Sequence, residues 1–248
     1  MHTVHSLQQD LQQLGIKNTD TLLVHSSLKS IGAVDGGGEA VLDAMIGYLV
    51  PAGGLLVFPA LTYHLNAANP EFSVADTPGI VGTLPELFRK RPESLRSWHP
   101  THSVAAMGRD AASFTAGHHH FDSPCARTSP WGRLADRRAK ILFIGTGIGC
   151  NTFLHGVEEW FGVPDMLSRD PEMLYTNTPD GSRLPVPCRR HQGHHSTWYY
   201  KTEPVLAASG ALTTGRFGDA SCHLVDAWGA METVYGMLHQ DPLIFTRD

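Results

Sequence analysis

The sequence predicts an α/β protein, a three-layer α/β/α sandwich around a mixed, largely parallel sheet, with an elaborated C-terminal third. Three observations support this prediction. A strand, a loop, a helix and a second strand follow one another within residues 21–59, an order typical of parallel strands covered by helices. A further apolar strand, Lys140–Ile144, runs into a glycine-rich turn and a helix. Beyond residue 165 the segments become shorter and turns more frequent.

The elements of the N-terminal half follow from apolar spacing and from turn residues. Leu7, Leu11 and Leu14 recur at helical spacing before Gly15, and the strand at 21–25 ends at Ser26-Ser27. The other predicted elements are a helix opened by the glycines at 36–38, strands over 55–59 and 103–107, a long loop over 60–80 and a short helix over 84–90. The triplet His118–His120 follows Gly117 and is expected to be exposed.

The second half is predicted to hold two regular stretches separated by short segments. The strand at 140–144 leads to a helix over about 151–160. The later segments are 173–176, 183–186, 196–200, a helix over 204–209, a strand over 212–216 and a last helix over 225–238. Because neither an internal repeat nor a low-complexity linker interrupts the pattern, we expect one domain over residues 1–248.

Composition excludes several classes of protein. The chain of 248 residues has a formal charge of −5, which disfavours binding to nucleic acid. The N-terminal stretch resembles no signal peptide, and no stretch approaches the ~18 apolar residues of a membrane span. No two of the four cysteines are spaced as a C-x-x-C motif. These features predict a cytoplasmic protein with free thiols and no membrane partner, either a monomer or a homodimer.

The turn Gly145–Gly149 joins the strongest strand to the strongest helix. Its glycines permit a sharp turn, and the helix start after it offers unpaired N–H groups to an anion. The spacing is not that of a dinucleotide fingerprint, because the third glycine of G-x-G-x-x-G is missing. No G-K-[S/T] follows, so it is not a P-loop either.

The helix after this turn carries the strongest catalytic candidate. His155 lies three residues before Glu158 and four before Glu159, so either carboxylate can approach the imidazole. A carboxylate beside histidine selects one tautomer and makes the other ring nitrogen a better base. A solvated surface pair would have the same spacing, but the expected place at the carboxyl edge of a sheet favours the catalytic interpretation.

Three further positions could bind a ligand or serve local structure. His102 and Ser103 precede a small-residue strand, and His25-Ser26-Ser27 closes another. Ser129 before Pro130 has the pattern of a helix N-cap, so its hydroxyl could cap the helix, bind a ligand, or do both.

A second cluster has spacings compatible with a metal site: Cys188, His191, His194 and His195, with Cys222-His223 as further candidates. Arg189 and Arg190 lie inside it and would disfavour a nearby dication. A metal-dependent hydrolase using this cluster is therefore kept as an alternative function. Neither G-x-S-x-G nor H-E-x-x-H is present.

A series of motifs spans about residues 20–245. They are Val24-His-Ser-Ser-Leu28 with Ile31-Gly32, the glycine-rich helix start, Pro78–Pro85, Arg96–Ala106, Ser129–Gly132, Ile144-Gly-Thr-Gly with Asn151-Thr-Phe-Leu-His155 and Glu158, and Asp241–Phe245. In this order they resemble the aminoglycoside 3-N-acetyltransferase family, which has the antibiotic N-acetyltransferase fold and not the GNAT fold.

The resemblance implies an α/β/α enzyme that uses acetyl-CoA as cosubstrate, with no metal. It implies that His155 takes a proton from an acceptor amine as the amine attacks the thioester, and that Glu158 orients His155. The cofactor-binding residues that we expect are His25, Ser26, Ser27, His102, Ser103, Ser129, Asn151 and Thr152.

One segment departs from the family pattern. Members that act on aminoglycosides usually carry an acidic segment after the catalytic helix, whereas Pro187–His195 is cationic or neutral, although Glu159 and Asp165 remain available. This departure weakens the assignment of an aminoglycoside as acceptor. The acceptor is expected to be an aminoglycoside, at the 3-N position of 2-deoxystreptamine, or a related small amine that carries less charge. A non-catalytic CoA-binding module is a further alternative.

Overall fold

The computed structural model describes residues 1–247. The helices are α1 (Val4–Gln13), α2 (Gly37–Leu49), α3 (Thr83–Arg89), α4 (Ala111–Thr115), α5 (Pro130–Asp136), α6 (Thr152–Phe161), α7 (Thr202–Ala208) and α8 (Ala227–Gln240). The strands are β1 (Thr21–Ser26), β2 (Leu55–Pro59), β3 (Glu71–Ser73), β4 (Leu95–Arg96), β5 (Val104–Gly108), β6 (Lys140–Ile144), β7 (Glu172–Asn177), β8 (Arg183–Cys188), β9 (Leu212–Phe217) and β10 (Ala220–Asp226).

Seven of the strands form a central mixed sheet in the order β4-β5-β2-β1-β6-β10-β9. Strand β1 pairs in parallel with β2 and with β6, with Leu23 opposite Val57 and Ile141. The outer pairings of this sheet are antiparallel. The sheet is mixed as predicted, but the expectation of largely parallel pairing holds only for its three central strands.

Alternation along β1 shows why helices cover both faces. Leu22 and Val24 pack on one side with α1, α2 and α3, whereas Leu23 packs on the other side with α5, α6 and α8. Successive side chains of a strand point to opposite faces, so a strand of apolar residues must be buried on both sides. The predicted three-layer α/β/α arrangement is confirmed.

A second, three-stranded sheet, β3-β7-β8, carries the elaboration of the C-terminal third. It packs on a small apolar cluster that includes Leu65, Phe72 and Cys188. The segment predicted as a long loop over 60–80 thus contains the short strand β3. None of the helices that the described residues form is long and apolar enough to cross a membrane.

The central strands bring distant residues to one edge of the main sheet. Strands β1, β2 and β6 end there, and β5 begins there because it runs antiparallel to β2 with Val104 opposite Pro59. The turn after β6 approaches the 3₁₀ helix after β1 so closely that a Cβ on Gly145 would collide with Ser30. Gly145 also has a φ of 60°, in the left-handed region. The turn therefore needs glycine both for this backbone conformation and for the close approach to Ser30.

Two local predictions are wrong. Of the triplet expected to be exposed, His120 is exposed, but His118 is fully buried and bonds Ser97 Oγ and the Pro124 carbonyl. The segment 196–200, for which no type was predicted, lies in a 3₁₀ helix over residues 195–201. The last helix begins at Ala227, not at residue 225, because the Asp226 carboxylate accepts the Gly229 N–H as its cap and residues 220–226 pair with β9.

Candidate active site

A cavity of about 460 Å³ opens at the edge where β1 and β6 end. Its lining includes Tyr63, His102, Thr152, His155 and the segment 189–196 without Gln192. Three of these, His102, Thr152 and His155, were predicted site residues. The cavity therefore lies between the start of α6 and the loop that follows β8.

His155 and Glu158 are linked through a third side chain. The His155 Nδ1 atom lies 2.6 Å from the Tyr199 hydroxyl, and this hydroxyl donates to Glu158 Oε2. His155 Nδ1 itself lies 3.8 Å from Glu158 Oε2, beyond hydrogen-bond distance. Since the single hydroxyl proton goes to the carboxylate, the oxygen accepts from Nδ1–H. This bonding leaves His155 Nε2 without its proton and able to act as a base.

Glu158 is fully buried and its second oxygen is also occupied. His195 Nδ1 lies 2.6 Å from Glu158 Oε1. A buried carboxylate needs such donors, because an unpaired buried charge is strongly destabilising. Glu158 is therefore held in one position by two side chains from the 3₁₀ helix at 195–201.

Burial sets the protonation states along this chain of bonds. It is the largest cause that lowers the pKa of His155 well below its usual 6.5, and the neighbouring His191 and His195 add to it. Burial, followed by the nearby Glu158, raises the pKa of Tyr199 well above 10.0. At neutral pH His155 is therefore uncharged and Tyr199 keeps its proton.

Glu159 forms a separate pair with His191. His191 Nε2 lies 2.6 Å from Glu159 Oε1, which also accepts the Cys125 N–H at 3.1 Å, and Glu159 Oε2 accepts the Ser123 hydroxyl. Burial raises the pKa of Glu159 to about 8 and lowers that of His191 to about 3. The two groups share one proton, so the pair carries no net charge. The His191 ring stacks on His155 at 4.5 Å between centroids.

Several predicted cofactor-binding residues have buried polar atoms that no residue among 1–247 satisfies. These atoms are His25 Nε2, Ser26 Oγ and both side-chain amide atoms of Asn151. Buried polar groups are nearly always hydrogen-bonded, so these unpaired atoms at the sheet edge are candidates for ligand contacts, although the three residues are not among those that line the cavity. Asn151 directly precedes α6 and makes no cap bond there.

Of the five other predicted cofactor residues, His102 and Thr152 line the cavity, and the remaining three have partners within the protein. The Ser103 hydroxyl donates to the Ala60 carbonyl at 2.7 Å, and the Ser129 hydroxyl accepts the Trp131 N–H as the cap of α5. The Ser27 hydroxyl accepts from Ser30. Ser103 and Ser129 are fully buried and lie outside the cavity lining, so their evident roles are structural.

The predicted metal cluster is not formed among the described residues. The Cys188 thiol lies in the apolar cluster of the small sheet, while His191 and His195 bond different glutamates and His194 is exposed. Within residues 1–247 a different set brings candidate ligand atoms within 4.8 Å of one another, namely Cys125, Glu159 and His191, of which only His191 belongs to the predicted cluster. These three could hold a metal ion.

The sequence analysis did not identify Tyr199 as a site residue. It lies 44 residues from His155 in an irregular segment, and its bond partners become visible only when the 3₁₀ helix packs on α6. No local signal marks it.

The sequence profile of the family described as aminoglycoside 3-N-acetyltransferase matches residues 23–239. The chain belongs to the aminoglycoside 3-N-acetyltransferase family. It is therefore an acyltransferase by family, and the predicted resemblance is confirmed.

Two relatives illustrate the distance within the family. The chain is 31% identical to aminoglycoside N(3)-acetyltransferase IX of Micromonospora chalcea over 89% of its own length and 88% of that protein. It is 27% identical to the prophage-derived aminoglycoside N(3′)-acetyltransferase-like protein YokD of Bacillus subtilis, over 93% of this chain and 90% of that protein.

Solved structures of the family share the fold. A histidine-to-alanine variant of aminoglycoside acetyltransferase AAC(3)-IVa, in complex with gentamicin, matches with a TM-score of 0.87 and 26% identity, over all of this chain and 92% of that one. AAC-IIIb, solved as a binary complex with CoASH, matches with a TM-score of 0.84 and 25% identity, over 96% of each chain.

Proposed function

We propose that this protein is an acetyl-CoA-dependent N-acetyltransferase in which His155 is the general base. The observation that carries the proposal is the chain of bonds from His155 Nδ1 through Tyr199 to Glu158, beside an open cavity. It fixes the tautomer of the ring and leaves Nε2 to accept a proton.

The unpaired polar atoms of His25, Ser26 and Asn151 fit a CoA site. A pantetheine chain carries amide groups, and the start of α6 offers free N–H groups to anionic or carbonyl oxygen atoms. The solved relative AAC-IIIb binds CoASH. The acceptor would be an aminoglycoside, at the 3-N position of 2-deoxystreptamine, or a related small amine, as the names of the relatives suggest.

Bound acetyl-CoA would supply the acetyl group as a thioester. His155 Nε2 takes a proton from the amine as its nitrogen bonds to the carbonyl carbon, and the carbon–sulfur bond then breaks. Tyr199 and Glu158 stabilise the imidazolium that forms, because Nδ1–H donates to an oxygen that itself donates to a carboxylate. The proton finally passes from His155 to the thiolate, which leaves as CoASH.

A thiol-release assay tests this proposal. We expect free CoASH to appear when the protein is given acetyl-CoA and an accepted amine, together with an equal amount of acetylated amine by mass spectrometry. CoA binding without transfer to any amine would favour a non-catalytic module. Hydrolysis that depends on added zinc and not on acetyl-CoA would favour the metal-dependent alternative.

Replacement of Tyr199 by phenylalanine is expected to lower kcat by about 10–100-fold. The change removes the acceptor of His155 Nδ1–H and one donor to Glu158, and a lost buried hydrogen bond to a charged group costs ~1.5–3 kcal/mol. Steady-state kinetics should show the loss in kcat with the KM for acetyl-CoA unchanged.

Tyr200→Phe is the matched control, since this neighbouring ring is 54% exposed. If Tyr199→Phe and Tyr200→Phe both kept the wild-type kcat, the relay through Tyr199 would be wrong.

A further inference from the structure

The cavity beside His155 is lined by basic and neutral side chains, which is unexpected for a site that would accept polycationic amines. Its lining contains Arg189, Arg190 and several histidines, and among residues 1–247 no aspartate or glutamate lines it. A polyamine with several ammonium groups needs carboxylates around it, because cations are disfavoured next to other cations.

The nearby carboxylates are not available to a ligand. Glu158 and Glu159 have side chains that are 0% and 4% exposed, and their oxygens accept bonds from protein donors. Asp122 and Glu172 each pair with a guanidinium, at 3.1 Å from Arg189 and 2.9 Å from Arg190. The carboxylates near the cavity therefore neutralise protein groups and not a bound cation.

The two arginines differ in what they can still bind. Arg190 is tied down, because its Nη atoms donate to the carbonyls of Tyr63 and Leu65 and to Glu172. Arg189 forms an ion pair with Asp122, with 3.1 Å between Nε and Oδ2 but no hydrogen bond at Nε, and its side chain is 40% exposed. Its two Nη groups form no hydrogen bond with any residue among 1–247. A guanidinium with both terminal nitrogens free at a cavity is suited to bind a carboxylate or a phosphate in two-point contact.

The histidines add donors without adding charge. Burial lowers the pKa values of His102 and His155 well below 6.5 and that of His191 to about 3. They are neutral at pH 7 and can bind polar oxygen atoms, but they do not supply the negative charge that a polycation needs.

We propose that the acceptor is an amine that also carries an anionic group, a carboxylate or a phosphate, and that Arg189 is the specificity-determining residue that binds this group. The inference rests on the proposed acetyltransferase function and narrows its substrate class away from polycationic aminoglycosides. The phosphate and the carboxylate are two sources of the same chemistry, which the experiment separates.

Matched acceptor pairs test the inference. One pair is glucosamine 6-phosphate and glucosamine, the second is β-alanine and its methyl ester, and neamine represents the polycations. We expect kcat/KM to be about 10–100-fold higher for the anionic member of at least one pair, the ratio that a charged hydrogen bond provides. A preference in the first pair alone identifies phosphate, and one in the second alone identifies carboxylate; either supports the inference.

Two variants link the preference to Arg189. In Arg189→Gln the ratio of kcat/KM between the anionic amine and its neutral partner should fall to about one. In Arg189→Glu the kcat/KM for neamine should rise relative to that for the anionic amines. Arg183→Gln is the matched control, because this arginine pairs with Glu71 on the small sheet and lies outside the cavity lining.

A binding measurement keeps this test separate from the proposed function. Calorimetric titration of the CoA-saturated protein with the same pairs reports affinity without turnover. Equal affinities and rates within both pairs, or a preference for neamine, would overturn the inference. If no amine is acetylated, the acetyltransferase proposal fails, and the affinity ratio still decides the charge preference.

Discussion

Replacement of His155 by alanine is expected to lower kcat for acetyl transfer about 10³-fold, since positioned general bases typically contribute 10²–10⁴-fold. The His155 imidazole lines the cavity, and its Nδ1 bonds the relay of Tyr199 and Glu158. Affinity for CoA should stay unchanged, because the unpaired atoms that fit CoA belong to His25, Ser26 and Asn151. Single-turnover kinetics and CoA titration measure the two quantities separately.

The pH dependence of kcat is a second test of His155 as the base. Because burial lowers its pKa well below 6.5, wild-type kcat should remain high as the pH falls through 6.5 and decline only at lower pH. Over the pH range in which circular dichroism shows both proteins folded, the residual activity of His155→Ala should lack this decline. His5→Ala, which removes an exposed imidazole on α1, is the control and should behave as wild type. Full turnover by His155→Ala would contradict its assigned role.

The second large effect that we expect is a steep loss of stability in weak acid. Burial lowers the pKa of His25 to about 4 and of His118 to about 3, and it lowers that of His99 well below 6.5. In the unfolded chain these groups have pKa values near 6.5, so below pH 6.5 the unfolded state binds more protons. Their stabilisation is complete above pH 6.5 and is lost as the pH falls toward the folded values.

The size of this effect is large against the total stability. Each such histidine changes the free energy of unfolding by about 1.4 kcal/mol per pH unit inside its window, and three of them by about 4 kcal/mol. Domains are typically stable by only ~5–15 kcal/mol, so unfolding should begin within about two pH units below 6.5. Between pH 4.5 and 6.5 the pair of Glu159 and His191 contributes little net dependence, because in this range the raised pKa of Glu159 and the lowered pKa of His191 have opposite effects on stability.

Urea unfolding at a series of pH values measures this slope. The free energy of unfolding should rise with pH between 4.5 and 6.5, as the shift to about 4 for His25 requires. His118→Gln should reduce the slope by about one histidine's share, about 1.4 kcal/mol per pH unit, whereas His5→Gln should leave it unchanged. A flat curve over this range would contradict the assigned burial effect.

The elements that could be predicted from the sequence are those with a clear local pattern of apolar and turn residues. The strands at 21–26, 55–59 and 140–144 are runs of apolar residues, and α6 follows a glycine turn. Strand β10 was missed because its alternation, with Ala220, Cys222 and Leu224 buried, is short and merges into the last helix. Its partner β9 determines it, and pairing between strands is not visible in one segment.

The candidate site divides in the same way. His155 and Glu158 could be found because they lie three residues apart on one helix. Their link through a third side chain could not be predicted. Tyr199 stands between the two side chains, and the two neighbouring glutamates each hold a different histidine from the 191–195 segment. These contacts depend on how a distant loop packs on α6. The spacing of the 188–195 residues indicated a metal site instead.

Acetyl transfer beside His155 can be tested with a crystal structure of the complex with CoA. We expect the thiol sulfur to lie in the cavity next to His155 Nε2 and the pantetheine chain to contact Ser26 or Asn151. A thiol that lies elsewhere, with the cavity beside His155 separated from it, would show that His155 is not the base.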